Sequence, residues 1–211
     1  RLQTNLQMAS AYGKVNAKGK LVNFTDPIKM QYDMVITAAN LETGKWMYKD
    51  SLMGKLTGTI TAKGFNGFDI KKSTIKTTAN ISSFRLQQHD YRNIKLNLLL
   101  VKGLADFIAS VNDELLKVSI NGKANMQTEY PSAEALVNLQ KADLFALGFA
   151  KDSMLVSTQV KIDLKNSSPQ NLDAMVRIDS LLWESGNKKL FVDTAVLLAL
   201  VRNDSTIINL S

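Results

Sequence analysis

The strongest constraint on this chain is that it repeats itself. Residues 38–56 read Ala-Ala-Asn-Leu-Glu-Thr-Gly-Lys-Trp-Met-Tyr-Lys-Asp-Ser-Leu-Met-Gly-Lys-Leu, and residues 141–156 answer with Lys-Ala-Asp-Leu-Phe-Ala-Leu-Gly-Phe-Ala-Lys-Asp-Ser-Met-Leu-Val. Asn40 corresponds to Asp143, Leu41 to Leu144 and Trp46 to Phe149. With one residue dropped, Lys49, Asp50 and Ser51 then correspond to Lys151, Asp152 and Ser153. Further on, Thr59-Ile-Thr-Ala-Lys63 matches Lys161-Ile-Asp-Leu-Lys165, and Ile81-Ser-Ser-Phe-Arg-Leu86 matches Ile178-Asp-Ser-Leu-Leu-Trp183. A similarity of this length means one supersecondary unit used twice, each copy relying on a neighbour to cover its apolar side. The 211 residues are therefore read as a single elongated segment with an internal repeat of about 100 residues, approximately 38–101 and 141–201.

Between the repeated motifs the hydropathy alternates with period two. Ile28, Met30, Tyr32, Met34, Ile36 and Ala38 form one series, with Lys29, Gln31 and Asp33 opposite. Met154, Val156, Thr158, Val160, Ile162 and Leu164 form another. Such series predict half-buried strands. A change of phase near Tyr12-Gly13 predicts a turn or bulge, and Thr25-Asp26-Pro27, Gln88-His89-Asp90, Lys102-Gly103, Asn112-Asp113, Pro131-Ser132, Asn166–Asn171 and Gly186-Asn187 read as turns. Residues 98–101 and 195–201 are apolar on both faces, which predicts cover on two sides or an interface there. Consecutive antiparallel hairpins with one greasy face and one Lys/Asn/Thr/Ser face follow. A sheet of a dozen long strands twists and curls, so a barrel, a sandwich or an open trough are its solutions. The aromatic fraction of 7% is low for an ordinary sandwich core.

Each repeated motif also predicts a short helix. Asn40 and Asp143 stand at N-cap positions, Leu41 with Trp46 and Leu144 with Phe149 form apolar pairs, and Gly44 and Gly148 limit each helix to one or two turns. The Leu and aromatic side chains are expected to pack over the end or edge of the sheet.

Catalytic and metal chemistry find little material. The chain has no cysteine and one histidine, His89, in a polar turn where a solvent-exposed structural role is expected. Transition-metal sites and Ser/His or Cys/His nucleophile systems are thereby excluded. The Asp50-Ser51 and Asp152-Ser153 pairs lack a base and read as caps or turns. No phosphate loop or paired carboxylates occur, so the chain is expected not to be an enzyme and to need no cofactor. The net charge of +7 raises nucleic acid as a partner, but the lysines are spread singly along the strands, as on solvated faces, and no nucleic-acid role is expected. Arg1 opens directly into strand-like sequence and no run approaches a membrane-spanning length, so the chain reads as part of a longer protein.

Gly54-Lys-Leu-Thr-Gly-Thr-Ile-Thr-Ala-Lys-Gly64, Asp90-Tyr-Arg-Asn-Ile-Lys-Leu-Asn97 and Lys141-Ala-Asp-Leu-Phe-Ala-Leu-Gly148 followed by Asp152-Ser153 resemble the repeat region of Bacteroidetes-type TamB proteins, within the AsmA-like group. The resemblance spans nearly the whole chain on short, pattern-like motifs. It implies an all-β, curled antiparallel sheet (a β-taco with an open apolar groove) built of repeated hairpins. It implies a periplasmic protein anchored in the inner membrane, moving phospholipid to the outer membrane or serving outer-membrane biogenesis, beside an Omp85/TamA-type barrel. No catalytic residue carries over. The anchor and partner-binding regions lie outside the segment.

On this reading phospholipid, or another acyl-chain ligand, occupies a groove lined by Met30, Tyr32, Met34, Ile60, Leu96, Leu98, Val160, Ile162, Val196 and Leu198. Repeated slender aliphatics would supply many similar weak sites, each buried methylene contributing about 0.8 kcal/mol. Two other classes stand beside it. One is a structural or chaperone-like protein offering strand edges to outer-membrane clients by β-augmentation. The other is a lipoprotein carrier with a closed cavity.

Overall fold

The computed structural model describes residues 1–49, 52–202 and 205–211, so the Asp50-Ser51 motif lies outside the described residues. Its strands are β1 (Leu2–Ser10), β2 (Gly13–Val22), β3 (Gln31–Glu42), β4 (Met53–Phe65), β5 (Thr74–Leu86), β6 (His89–Val101), β7 (Leu104–Asn112), β8 (Leu116–Asn125), β9 (Ser132–Asp143), β10 (Leu155–Asn166), β11 (Asp173–Ser185), β12 (Lys188–Arg202) and β13 (Ser205–Leu210). Among the described residues there is one helix, α1 (Thr43–Met47), which follows β3. The fold is all-β, antiparallel, and the thirteen strands of the sheet follow their order in the chain. β1 and β13 stand at opposite ends of that order, so the sheet is not closed into a barrel. No helix among the described residues is long and apolar enough to cross a membrane.

The chain divides into two compact units, Arg1–Lys102 with Ala109–Asp113, and Gly103–Ile108 with Glu114–Ser211. In the first, hairpins follow wherever a local turn captures backbone groups. Tyr12 N–H donates to Ser10 Oγ at the β1–β2 turn, where Gly13 has φ +110°. Asp26 Oδ1 accepts from the N–H groups of Ile28 and Lys29. This Asx-type turn keeps Ile28 out of β3, which starts at Gln31, and leaves Ile28 69% exposed. Met30 likewise precedes the strand. The strand expected from Ile28 therefore begins three residues late, because the aspartate side chain competes for the donors the ladder would have used.

The alternation breaks along a line of bulges in each unit. In the first unit the pairing slips between Ala38 and Leu41 and between Thr57 and Gly58, with Asn40 and Asn93 in the left-handed region. In the second it slips at Lys117/Val118, Val156/Thr158 and Ser157/Gln159, with Ser180 left-handed. Asn relieves such positions because its short polar side chain tolerates positive φ.

The two expected helices come out differently. α1 has five residues, its N-cap residue is Glu42, and no side chain caps it. Asn40 instead sits in the bulge, where its N–H donates to Thr57 Oγ1 at 3.0 Å. In the second copy residues 144–148 form consecutive turns rather than a helix. Asp143 Oδ1 does accept the N–H of Ala146 at 2.9 Å, but Gly148, at φ +82°, ends the segment after one turn. One turn fixes several dihedrals for a single hydrogen bond, so only packing can hold it. That packing comes from Leu147, which is buried, whereas Trp46 and Phe149 are 48% and 63% exposed and do not cover the sheet as expected.

Candidate functional site

In the first unit the registers set four rows of side chains on one face. Across β1 to β6 these are Leu2, Leu21, Tyr32, Gly64, Ile75, Leu100; Thr4, Gly19, Met34, Ala62, Thr77, Leu98; Leu6, Ala17, Ile36, Ile60, Ala79, Leu96; and Met8, Val15, Ala38, Gly58, Ile81, Ile94. No charged residue stands in any row. Tyr32, Met34, Ile60, Leu96 and Leu98, predicted separately, are thus brought onto one surface. Met30 is not among them. Leu2, Leu6, Met8 and Ile36 are exposed, and Met34, Ile60, Leu96 and Leu98 are half-buried.

Glycines seat the larger members of these rows. A side chain on Gly64 would collide with the Tyr32 ring, one on Gly19 with Met34 Sδ, and one on Gly58 with Ile81. Each glycine stands directly opposite the residue it accommodates. Tyr32 is further held by stacking on Phe68, at 5.1 Å between ring centroids, and burial pushes its phenol above the usual range. In the second unit Phe107 lies over Gly122 in the same manner.

The second unit has its own charge-free rows. Gly122, Ala135, Ile162, Val176, Leu197 and Leu210 form one, and Ile120, Val137, Val160, Ile178 and Ala195 another. Val160 and Ile162 are therefore neighbours on one face. Val196 and Leu198 are not with them. Val196 pairs with Arg177, which pairs with Lys161, and Leu198 pairs with Met175, which pairs with Asp163. Both point to the opposite side, and Ala195, Leu197 and Ala199 take the places assigned to them. The cause is a one-residue ambiguity: residues 195–201 are apolar without interruption, so alternation carries no phase there. Val176 and Ile178 on β11, whose phase is plain, were the available signal. The corresponding stretch of β6 is not covered on both sides, since Leu99 and Val101 are exposed.

The face opposite the charge-free rows carries charged and polar side chains, with apolar ones such as Val35, Leu99, Val196 and Leu198 among them. In the second unit Arg177 Nε donates to both carboxylate oxygens of Asp179, at 2.9 and 3.0 Å, and Thr194 Oγ1 donates to Oδ1 at 2.9 Å. These bonds, Arg177 first, hold the Asp179 carboxyl below its ordinary value of 3.8. A carboxyl depressed in the folded state contributes stability that is present above its unfolded pKa and is lost as pH falls through the folded one. Arg177→Ala is expected to move the Asp179 titration, followed by NMR, upward towards that ordinary value.

Among the described residues of the first unit one carboxylate, Asp113, is buried. Asp113 is 4% exposed and accepts from the Arg92 N–H at 3.1 Å, with His89 Nε2 2.7 Å from its other oxygen. His89 is the first residue of β6, half-buried and edge-on to Tyr91, rather than solvated in a turn. The turn itself falls at Gln87-Gln88, with Gln87 at φ 54°. Burial, and then the Asp113 charge, raise the Tyr91 phenol. The His89–Asp113 contact ties the start of β6 to the residue that follows β7, and among the described residues no group of three or more His, Asp or Glu could hold a metal. An open hollow of about 650 Å³ in the second unit, between Ala105, Lys123, Glu134 and Asp163, has charged walls and so differs in kind from the charge-free rows.

Compared with protein-family models, with curated proteins and with solved structures, the chain matches none of them.

Proposed function

We propose that the chain is a non-enzymatic lipid-binding segment, holding acyl chains along its charge-free rows in a curled, open groove of β-taco type. The observation that carries this reading is the combination of rows without a charge and a very small core. Among the described residues eight hydrophobic side chains are buried, Tyr32, Ala38, Ile81, Tyr91, Leu100, Ala105, Ala142 and Leu147. The remaining aliphatics of the rows keep surface that another molecule's hydrocarbon can cover, at about 25 cal/mol per Å². Glycine seats make the surface lower where Tyr32, Met34 and Ile81 lie, which suits a chain sliding past slender neighbours. In a TamB-like setting the segment belongs to a periplasmic protein anchored in the inner membrane. It would pass phospholipid towards the outer membrane and meet an Omp85/TamA-type barrel through other regions.

Lipid extraction and native mass spectrometry of the purified chain test this. Bound phospholipid or fatty acid is expected, and Ile162→Asp, which places a charge between Ala135 and Val176, is expected to lower its recovery at least tenfold while the β-sheet circular dichroism is kept. Recovery of the folded chain with no acyl ligand, before and after incubation with phospholipid, would reject the reading.

A second reading has its own support. β1 carries no charged residue between Leu2 and Ser10, and all of it except Thr4 is exposed. Wherever its outer side is open, an uncharged strand such as β1 is a template for β-augmentation, as in a chaperone-like protein for outer-membrane clients. Extended peptides that bind lipid-free protein and are displaced by substitutions in β1 alone would favour it.

A further inference from the structure

The far side of the first unit differs from what a solvated sheet face needs. The registers carry Lys14, Lys18 and Lys20 of β2, Lys63 of β4, Lys76 of β5 and Lys95 of β6 to that one side, every one of them exposed. Asp33 is the single acidic residue in the same rows, and it pairs with Lys63 at 3.4 Å. Lys63 also stands directly opposite Lys76, an arrangement that weakens a sheet. The strand plan does not demand such an excess. In the second unit the side opposite its own charge-free rows interleaves Glu134, Asp163 and Asp179 with its cations, and the row Lys123, Glu134, Asp163 mixes signs.

We infer that this lysine face of the first unit docks on an anionic bilayer surface, contacting lipid phosphate and glycerol head groups. The argument is one of charge and of what lies between the charges. The cations are all lysines, compact point charges suited to a diffuse layer of phosphates rather than to bidentate recognition of one. Thr59, Thr61, Thr78 and Asn80 lie among them and offer neutral hydrogen-bonding groups at the same level. A duplex nucleic acid is read by an element that enters a groove, and a single strand needs aromatic stacking platforms. The rows holding the lysines contain neither, and the one aromatic of the adjoining row, Phe65, whose ring lies 6.0 Å from Lys63 Nζ, is a single ring and not a series of platforms. Attraction to an anionic leaflet, by contrast, accumulates lysine by lysine. The inference stands apart from the acyl-chain reading, because it uses the other face of the sheet.

Co-sedimentation of the 211-residue chain with phosphatidylcholine vesicles, with and without phosphatidylglycerol, tests it. Binding is expected only with phosphatidylglycerol. Removing lysines of this face is expected to weaken it about fivefold each, so the triple variant Lys18→Gln, Lys20→Gln, Lys76→Gln falls about a hundredfold. Lys117→Gln, Lys161→Gln, Lys165→Gln removes the same net charge from the second unit and is expected to retain most of the binding. Should the triple variant unfold, Lys20→Gln alone reports the fivefold step. Equal binding to neutral vesicles, an equal loss in both triple variants, or tighter binding to duplex DNA than to phosphatidylglycerol vesicles would each overturn the inference. Ile162→Asp, which tests the charge-free rows, is expected to leave this binding in place.

Discussion

Gly64→Val is expected to destabilise the chain by about 1–3 kcal/mol and to expel Tyr32 from its seat. The added side chain would overlap the Tyr32 ring, whose other side is closed by Phe68. The two residues cannot part cheaply, because Tyr32 and Gly64 are opposed in the β3–β4 ladder and their backbones are tied together. Urea unfolding measures the loss. A second readout separates expulsion of the ring from general damage. Burial raises the Tyr32 phenol, so in the variant it is expected to titrate nearer its ordinary value of 10.0. Gly64→Val combined with Tyr32→Ala is expected to lose less than the sum of the two, since the clash is removed. Strict additivity, with the phenol unmoved, would show that the glycine is not there to seat the ring.

Asp113→Ala is expected to be the most damaging change to a polar group, at about 2–3 kcal/mol. It removes the acceptor of the Arg92 N–H and the partner of His89 from a site that is 4% exposed. Buried donors left without an acceptor forfeit their desolvation as well as the bond. Asp113→Asn, which keeps one acceptor oxygen, is expected to fall between the wild type and the alanine variant. Faster hydrogen exchange at the Arg92 amide would place the damage at the start of β6. A midpoint shift within experimental error, with that amide still protected, would show that the pair contributes nothing to the fold.

Much of the architecture was legible in the order of residues. Alternation such as Met154 to Leu164 marks a half-buried strand because side chains project to opposite faces in turn, and β10 occupies Leu155–Asn166. Lys102-Gly103 and Gly186-Asn187 announce turns through backbone chemistry that is local to those residues. The apolar surface was half legible. Tyr32, Met34, Ile60, Leu96 and Leu98 share a face because each lies in a clearly phased strand, and so do Val160 and Ile162. Met30 was lost to an aspartate that binds the backbone before the strand begins. His89 and Asp113, 24 residues apart, carried no local sign that they would meet.

The residue order alone determined which segments extend, where they turn, and that one side of each well-phased strand avoids charge, since all of these depend on neighbours along the chain. Only the tertiary structure decided how strands align with one another. That alignment sends Val196 and Leu198 to the far face, and it gathers six lysines, singly scattered in the sequence, onto one side of the first unit. The physical reason is the two-residue period of a strand. Where hydropathy alternates, the strand carries its own phase. Where it is uniform, or where only the distribution of charge between strands is at issue, the hydrogen-bonded partner supplies it.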